Sequence, residues 1–273
     1  MDLAIDRCRS SAIMVAAAEV QEAIRLSQEE KLLCIKNVVD QVNGRVPVIA
    51  GASDTSTKGT IELGRKAKDL GADALMMMPP FGIPIKGALR GPTLDDVVSF
   101  FDLVSHSIDL PILIYNTQAL STHIPLGVLE KIFEIDSIVG MEESSQDFQV
   151  LTQIGMKLSD KVSLLIKTPV FLPALDVGMH GSITPVLFSQ LGADLYDAYL
   201  AGDRARARKI QLALCNMPPH QFYNASTVTF YKEALRQLGL DVGLPRRPTP
   251  PADEYQKSVI SDAIRNYYGL SPG

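Results

Sequence analysis

Three cysteines in 273 residues, Cys8, Cys34 and Cys215, are few, odd in number and far apart. That excludes a disulfide framework and a zinc site, and leaves reduced, mostly buried thiols in a cytoplasmic protein as the expectation. Basic excess is missing as well: the formal net charge is −5. A nucleic-acid surface is therefore not expected. The one basic cluster, Arg204 to Lys209, reads as the solvated face of a helix. No apolar run approaches the roughly 20 residues of a membrane span. The opening residues, Met1 to Arg7, lack a charged segment followed by an apolar one, so neither a secretory leader nor a membrane partner is expected. There is no glycine-rich phosphate loop, and no His, Cys or Asp cluster has metal-ligand spacing. No cofactor and no metal are expected.

What is present is a globular composition, 46% hydrophobic, of a length that suits one (β/α) barrel of roughly 250 residues. Short apolar runs alternate with helical patterns. Runs at Ala12–Ala18, Val46–Gly51, Asp73–Met78, Pro111–Tyr115, Ser137–Met141, Val162–Lys167 and Gly181–Thr184 predict seven strands. Between them lie helical stretches such as Ser27 to Asn43, where Ser27-Gln-Glu-Glu30 has the capping-box pattern. Near-continuous apolar strands separated by helices mean a parallel sheet covered by helices. From Leu187 onward helices dominate, and Leu244 to Pro251 reads as a proline-stiffened connector. The expected division is a barrel over 1–186 and C-terminal helices over 187–273. Met1 to Ser10, with Asp2, Asp6, Arg7 and Arg9, is poor material for a buried strand and is expected to be helical.

One stretch stands out. Asp136-Ser-Ile-Val-Gly-Met-Glu-Glu-Ser-Ser-Gln-Asp147 reads as a buried strand ending in two carboxylates and small polar residues. Such an ending delivers functional groups to the carboxyl edge of a parallel sheet, where ligands bind. It resembles the Gly-Ile-Lys-Glu/Asp-Ser signature of the dihydrodipicolinate synthase/N-acetylneuraminate lyase family, with Gly140, Met141, Glu143 and Ser144 matching and Glu142 in the lysine position. Further matches follow in order. They are Leu26-Ser-Gln-Glu-Glu, Val46-Pro-Val-Ile-Ala-Gly, Gly71-Ala-Asp-Ala, Met78-Pro-Pro, Ile114-Tyr-Asn-Thr-Gln-Ala-Leu-Ser121 and Gly178-Met-His-Gly-Ser-Ile-Thr184. The resemblance covers nearly the whole chain. It implies an α/β fold, a TIM-type (β/α) barrel with a C-terminal helical extension, usually a homo-oligomer (dimer or tetramer). The strand at Ala12 aligns with the family's second, which implies a barrel lacking the first.

The resemblance also frames the site. In the family the lysine at position 142 forms a Schiff base with a 2-oxo acid; a glutamate cannot condense with a carbonyl. Glu142 in an apolar barrel mouth would suit general acid/base work, or it fills a lost site. Tyr115 keeps the catalytic tyrosine position. Lys167 ends the next strand and is the candidate for a relocated amine; a salt bridge to Glu142 is the plainer alternative. The threonines that hold the substrate carboxylate are replaced by Glu19 and Val20, leaving ordinary 2-oxo acid binding in question. Glu143, Ser144 and Ile183 complete the expected pocket. The synthase branch's second tyrosine is replaced at Phe81-Gly82 and its carboxylate-binding arginine by Leu120. Lys86 reads as solvated, His123 as a surface residue and His180 as structural. The expected activity is a divergent carbon–carbon or carbon–oxygen lyase acting on a small 2-oxo acid or carbonyl substrate. The alternative is an inactive relative kept as a binding or assembly subunit.

Overall fold

A computed structural model describes residues 1–17, 19–79, 93–117, 123–215 and 226–268. Its strands form one parallel sheet in sequential order, β1-β2-β3-β4-β5-β6-β7. The strands are β1 (Ile13–Val15), β2 (Val48–Gly51), β3 (Ala74–Met77), β4 (Ile112–Asn116), β5 (Ile138–Glu143), β6 (Ser163–Lys167) and β7 (Gly181–Ile183). Each is followed by a helix: α1 (Gln28–Val42), α2 (Thr57–Asp69), α3 (Leu94–Ser107), α4 (Leu126–Ile132), α5 (Phe148–Leu158), α6 (Phe171–Asp176) and α7 (Val186–Leu200). Then come α8 (Arg204–Cys215), α9 (Thr227–Gln237) and α10 (Glu254–Tyr268). Local chemistry sets several starts. Ser27 and Glu30 form the expected capping box at α1, and Thr93 with Asp96 forms another at α3.

Side-chain alternation along the strands divides the core in two. One set, with Leu75, Ile112, Ile114, Met141, Leu164 and Ile166, packs outward under the helices. The other lies on the inner, concave face: Ala17, Met76, Met78, Leu113 and Tyr115, with Met14, Val20, Ile49, Leu165 and Ile183 against them. The carboxyl ends of the strands open onto this inner face.

The sheet is curled but not closed, because no ladder joins β1 to β7 among the described residues. A direct pairing of the two edges, one way a seven-stranded barrel could contract, is therefore not what the chain does. The N-terminal segment stays helical, as its charges imply. Leu3–Arg7 is a π-helical turn, and Arg9 reaches Asp194 at 2.6 Å and Asp197 at 2.5 Å on α7. The C-terminal part is tied to the other end of the sheet. Lys232 on α9 meets Glu22 at 2.8 Å, and the amide of Arg246 donates to the same carboxylate at 2.6 Å.

Candidate active site

Strand β5 runs two residues past the expected Met141, so both Glu142 and Glu143 sit on the ladder. Which of them faces inward is decided by a bulge. Ile112 pairs with Ile138, but Leu113 pairs with Gly140, so Val139 is an extra residue on β5. A bulge of this kind shifts the alternation of everything after it. Ile138 and Met141 consequently both pack outward, although they are an odd number of residues apart. Gly140 and Glu142 are left facing inward, and Glu143 outward. Glu142 stands directly across from Tyr115, and Glu143 across from Asn116.

The inner rung is buried: Tyr115 is 7% exposed and Glu142 4%. The hydroxyl of Ser144 donates to Glu142 Oε2 at 2.9 Å. Glu142 pairs in turn with Leu165 on β6, and Lys167 lies two residues further along the same face, level with Ile183. Lys167 is half-buried and is the lysine that lies in a strand among the described residues. None of the ion pairs within 4.0 Å among the described residues joins it to Glu142. The opposite wall is apolar, with Ala17, Val20 and Met78. The structure thus brings Tyr115, Glu142, Lys167, Ser144, Ile183 and Val20 to one end of the inner face. Chemically this is a carboxylate and a phenol on one rung, an amine one layer above, and a greasy wall facing them.

Glu143 belongs elsewhere. Expected among the substrate contacts, it is fully buried on the helix side of the sheet. Its carboxylate accepts from Asn116 Nδ2 at 2.7 Å and from the amide of Ser145 at 2.6 Å. His123 Nε2 lies 3.1 Å from its Oε1. His123, expected at the surface, is half-buried there, and the Glu143 hydrogen bond holds its imidazole above the ordinary range although burial pulls the other way. Sequence reasoning missed this group. The available signal was Asn116 beside Tyr115 and Glu143 beside Glu142: two consecutive polar pairs at two strand ends. His180 is structural as expected, its Nδ1 accepting from the amide of Leu164 at 3.0 Å.

The backbone of Glu19 lies in a short turn, Glu19–Gln21, just past β1; its side chain is outside the described atoms. Phe81, Gly82, Lys86 and Leu120 also lie outside the described residues. Among the described residues no group of three or more His, Cys, Asp or Glu is placed to hold a metal ion. No helix among them is long and apolar enough to cross a membrane.

Comparison with known proteins agrees with this architecture. Residues 2–267 match the model of the dihydrodipicolinate synthetase family. A 4-hydroxy-tetrahydrodipicolinate synthase of Methanopyrus kandleri is 31% identical over 95% of this chain and 85% of its own length. That of Pelobacter propionicus is 30% identical over 91% of this chain and 84% of its own. The crystal structure of a dihydrodipicolinate synthase from Bacillus anthracis superposes with a TM-score of 0.87 at 27% identity, covering 97% of this chain and 90% of that one. An N-acetylneuraminate lyase from Mycoplasma synoviae shares the fold, with a TM-score of 0.84 at 19% identity, covering 98% and 89% of the two chains. With the fold, the strand-end site and these matches in place, the chain is a member of the dihydrodipicolinate synthetase family, whose members are lyase/aldolase-type enzymes.

Proposed function

We propose that the protein is a divergent aldolase-type lyase acting on a small 2-oxo acid or related carbonyl compound, with its amine moved from position 142 to Lys167. The observation that carries this is the inner-face rung of Tyr115 and Glu142 with Lys167 one layer beyond it. Breaking a carbon–carbon bond leaves an electron pair that needs an acceptor. A carboxylate cannot serve; an iminium can. Lys167 would add to the substrate carbonyl and release water. Glu142 would take the proton of the β-hydroxyl, the carbon–carbon bond would break, and its electrons would move into the iminium to give an enamine. Tyr115 would deliver the proton that returns the enamine carbon to an iminium, and water would then free the product and the amine. Lys167 stands one strand across from Glu142, about 4.8 Å, and two residues further along, about 6.6 Å, a step that lysine and glutamate side chains span together.

Elimination of water from a β-hydroxy carbonyl compound needs only the proton transfers, so a hydro-lyase would use the same Glu142 and Tyr115 without the amine. We place the enzyme in the cytoplasm as a homo-oligomer. The test is product analysis by NMR with a panel of 2-oxo acids and aldehydes, comparing the wild type with Glu142→Gln and Tyr115→Phe. Turnover that falls in both variants supports the reading. Turnover untouched by either removes it, and no turnover with any compound leaves a binding subunit.

A further inference from the structure

Behind the pocket, Asn116, Glu143 and His123 form a second hydrogen-bonded cluster. Asn116 is fully buried and makes three contacts at once. Its Nδ2 donates to Glu143 at 2.7 Å and to the carbonyl of Ile124 at 3.2 Å, and its Oδ1 accepts from the amide of Ile124 at 2.8 Å. It therefore closes the connection that leaves β4 at Thr117 and returns at Ile124. Glu143 gathers the end of β5 in the same way, holding Asn116, His123 and the Ser145 amide. The amide of Ser144 donates to the carbonyl of Asn116 at 3.1 Å. Asn116 and Glu143 form the rung next to Tyr115 and Glu142 on the same two strands. In a pleated sheet consecutive rungs cannot move independently, because the backbone between them is shared.

A fully buried carboxylate needs a positive partner or a full set of donors. Among the described residues the basic group paired with it is His123, a cation when protonated. Other ionisable groups on the packed elements do not take its place. Glu142 is on the opposite face of β5, Asp147 caps α5 by accepting from the amides of Gln149 and Val150, and α4 carries Glu130 and Lys131, neither of them ion-paired to His123 among the described residues. The connection between Thr117 and His123 contains no ionisable side chain.

Resting on the reading of Tyr115 and Glu142 as the proton-transfer pair, we infer that His123, Asn116 and Glu143 are positioning residues: charged His123 holds the Glu143 carboxylate, the Asn116–Glu143 rung holds the Tyr115–Glu142 rung, and the pocket's geometry follows the protonation of His123. When His123 gives up the proton on Nδ1, its Nε2–H still donates to Glu143, but the positive charge that offset the buried carboxylate is gone. The carboxylate then leans harder on the amide donors of Asn116 and Ser145, and the strand ends move with it. His123→Gln would leave a neutral donor and fix one state at every pH.

The test needs no substrate, so it stands or falls separately from the lyase reading. The full-length protein, labelled with 13C in the histidine and tyrosine rings, is titrated by NMR between about pH 5 and 10. There are four histidines and eight tyrosines, and His123→Gln and Tyr115→Phe assign the two that matter. The expected result is that His123 titrates above the ordinary imidazole range and that the Tyr115 ring signals shift with the same midpoint. In His123→Gln, with an unchanged circular dichroism spectrum, that inflection of Tyr115 is lost. A Tyr115 signal with no inflection at the His123 midpoint in the wild type overturns the inference, and His123→Asn replaces His123→Gln should the latter fail to fold. So does an inflection that persists in His123→Gln.

Discussion

Glu142 and Glu143 are neighbours in the chain with opposite surroundings. One carboxylate sits on the inner rung with Tyr115 and Ser144; the other is enclosed by Asn116, His123 and a backbone amide. Glu142→Gln retains shape and the Ser144 contact but not the charge. Turnover should fall about 10²–10⁴-fold, the usual range for losing a general acid or base, with KM little changed. Steady-state kinetics on whichever carbonyl compound turns over would show it; an equal change in KM alone would mean Glu142 only binds. Glu22 ties the C-terminal helices to the turn after β1. Burial alone would raise its pKa, but Lys232 and the Arg246 amide outweigh that and hold it below the usual carboxylate range. A folded value below the unfolded one gives stability that is complete above the unfolded value, about 4.3, and is lost as pH falls through the folded value. Lys232→Met strands that carboxylate and should cost about 3 kcal/mol at neutral pH. Thermal melts from about pH 3 to 8 should show the wild type losing ground on the acid side and the variant much less. Parallel acid limbs would contradict the assignment. Tyr115 and Glu142 were legible in the sequence because they end strands. The partnership of His123 with Glu143 was not, since it depends on Asn116 bringing the chain back to Ile124.

At the scale of elements, apolar runs and caps located the strands to within a residue or two, for the reason that period and capping are local; the exception is β1, which stops at Val15, three residues short of the predicted Ala18. The orientation of β5 was not local. Without the extra residue at Val139, Glu142 would continue the outward face of Ile138, and Glu143 would face the pocket. Val139 itself is 40% exposed, as a residue squeezed out of a ladder should be. The inward position next to it is also sterically set. A Cβ on Gly140 would meet the carbonyl oxygen of Ser163 at 2.4 Å. Gly140→Ala should therefore push β5 from β6 and destabilise by about 1–3 kcal/mol, as overpacking does. Denaturant titration measures it, and an unchanged midpoint would show that the two strands have room that the geometry denies them.

The molecule is a curled sheet whose edge strands, β1 and β7, are not paired with each other among the described residues, and a C-terminal set of helices is tied back to the first strand's turn through Glu22. The barrel architecture was readable from strand–helix alternation together with the ordered motif matches. The way the gap is managed was not, because edge pairing depends on curvature that no short window encodes. Edge strands in a near-continuous apolar sheet favour association. Sedimentation at micromolar concentration should show an oligomer, and amides of β4 and β5 should exchange far more slowly than those of β1 and β7. A monomer with uniform protection would contradict that expectation.

The position of the amine decides which chemistry the pocket performs. Borohydride reduction in the presence of 2-oxo acids and aldehydes, followed by peptide mass mapping, reads this directly. With Lys167 as the amine, one substrate-sized adduct is expected, on the peptide carrying Lys167, absent in Lys167→Ala and slowed in Glu142→Gln. An adduct on any other lysine, or none with a compound that the enzyme demonstrably cleaves at a carbon–carbon bond, would contradict it.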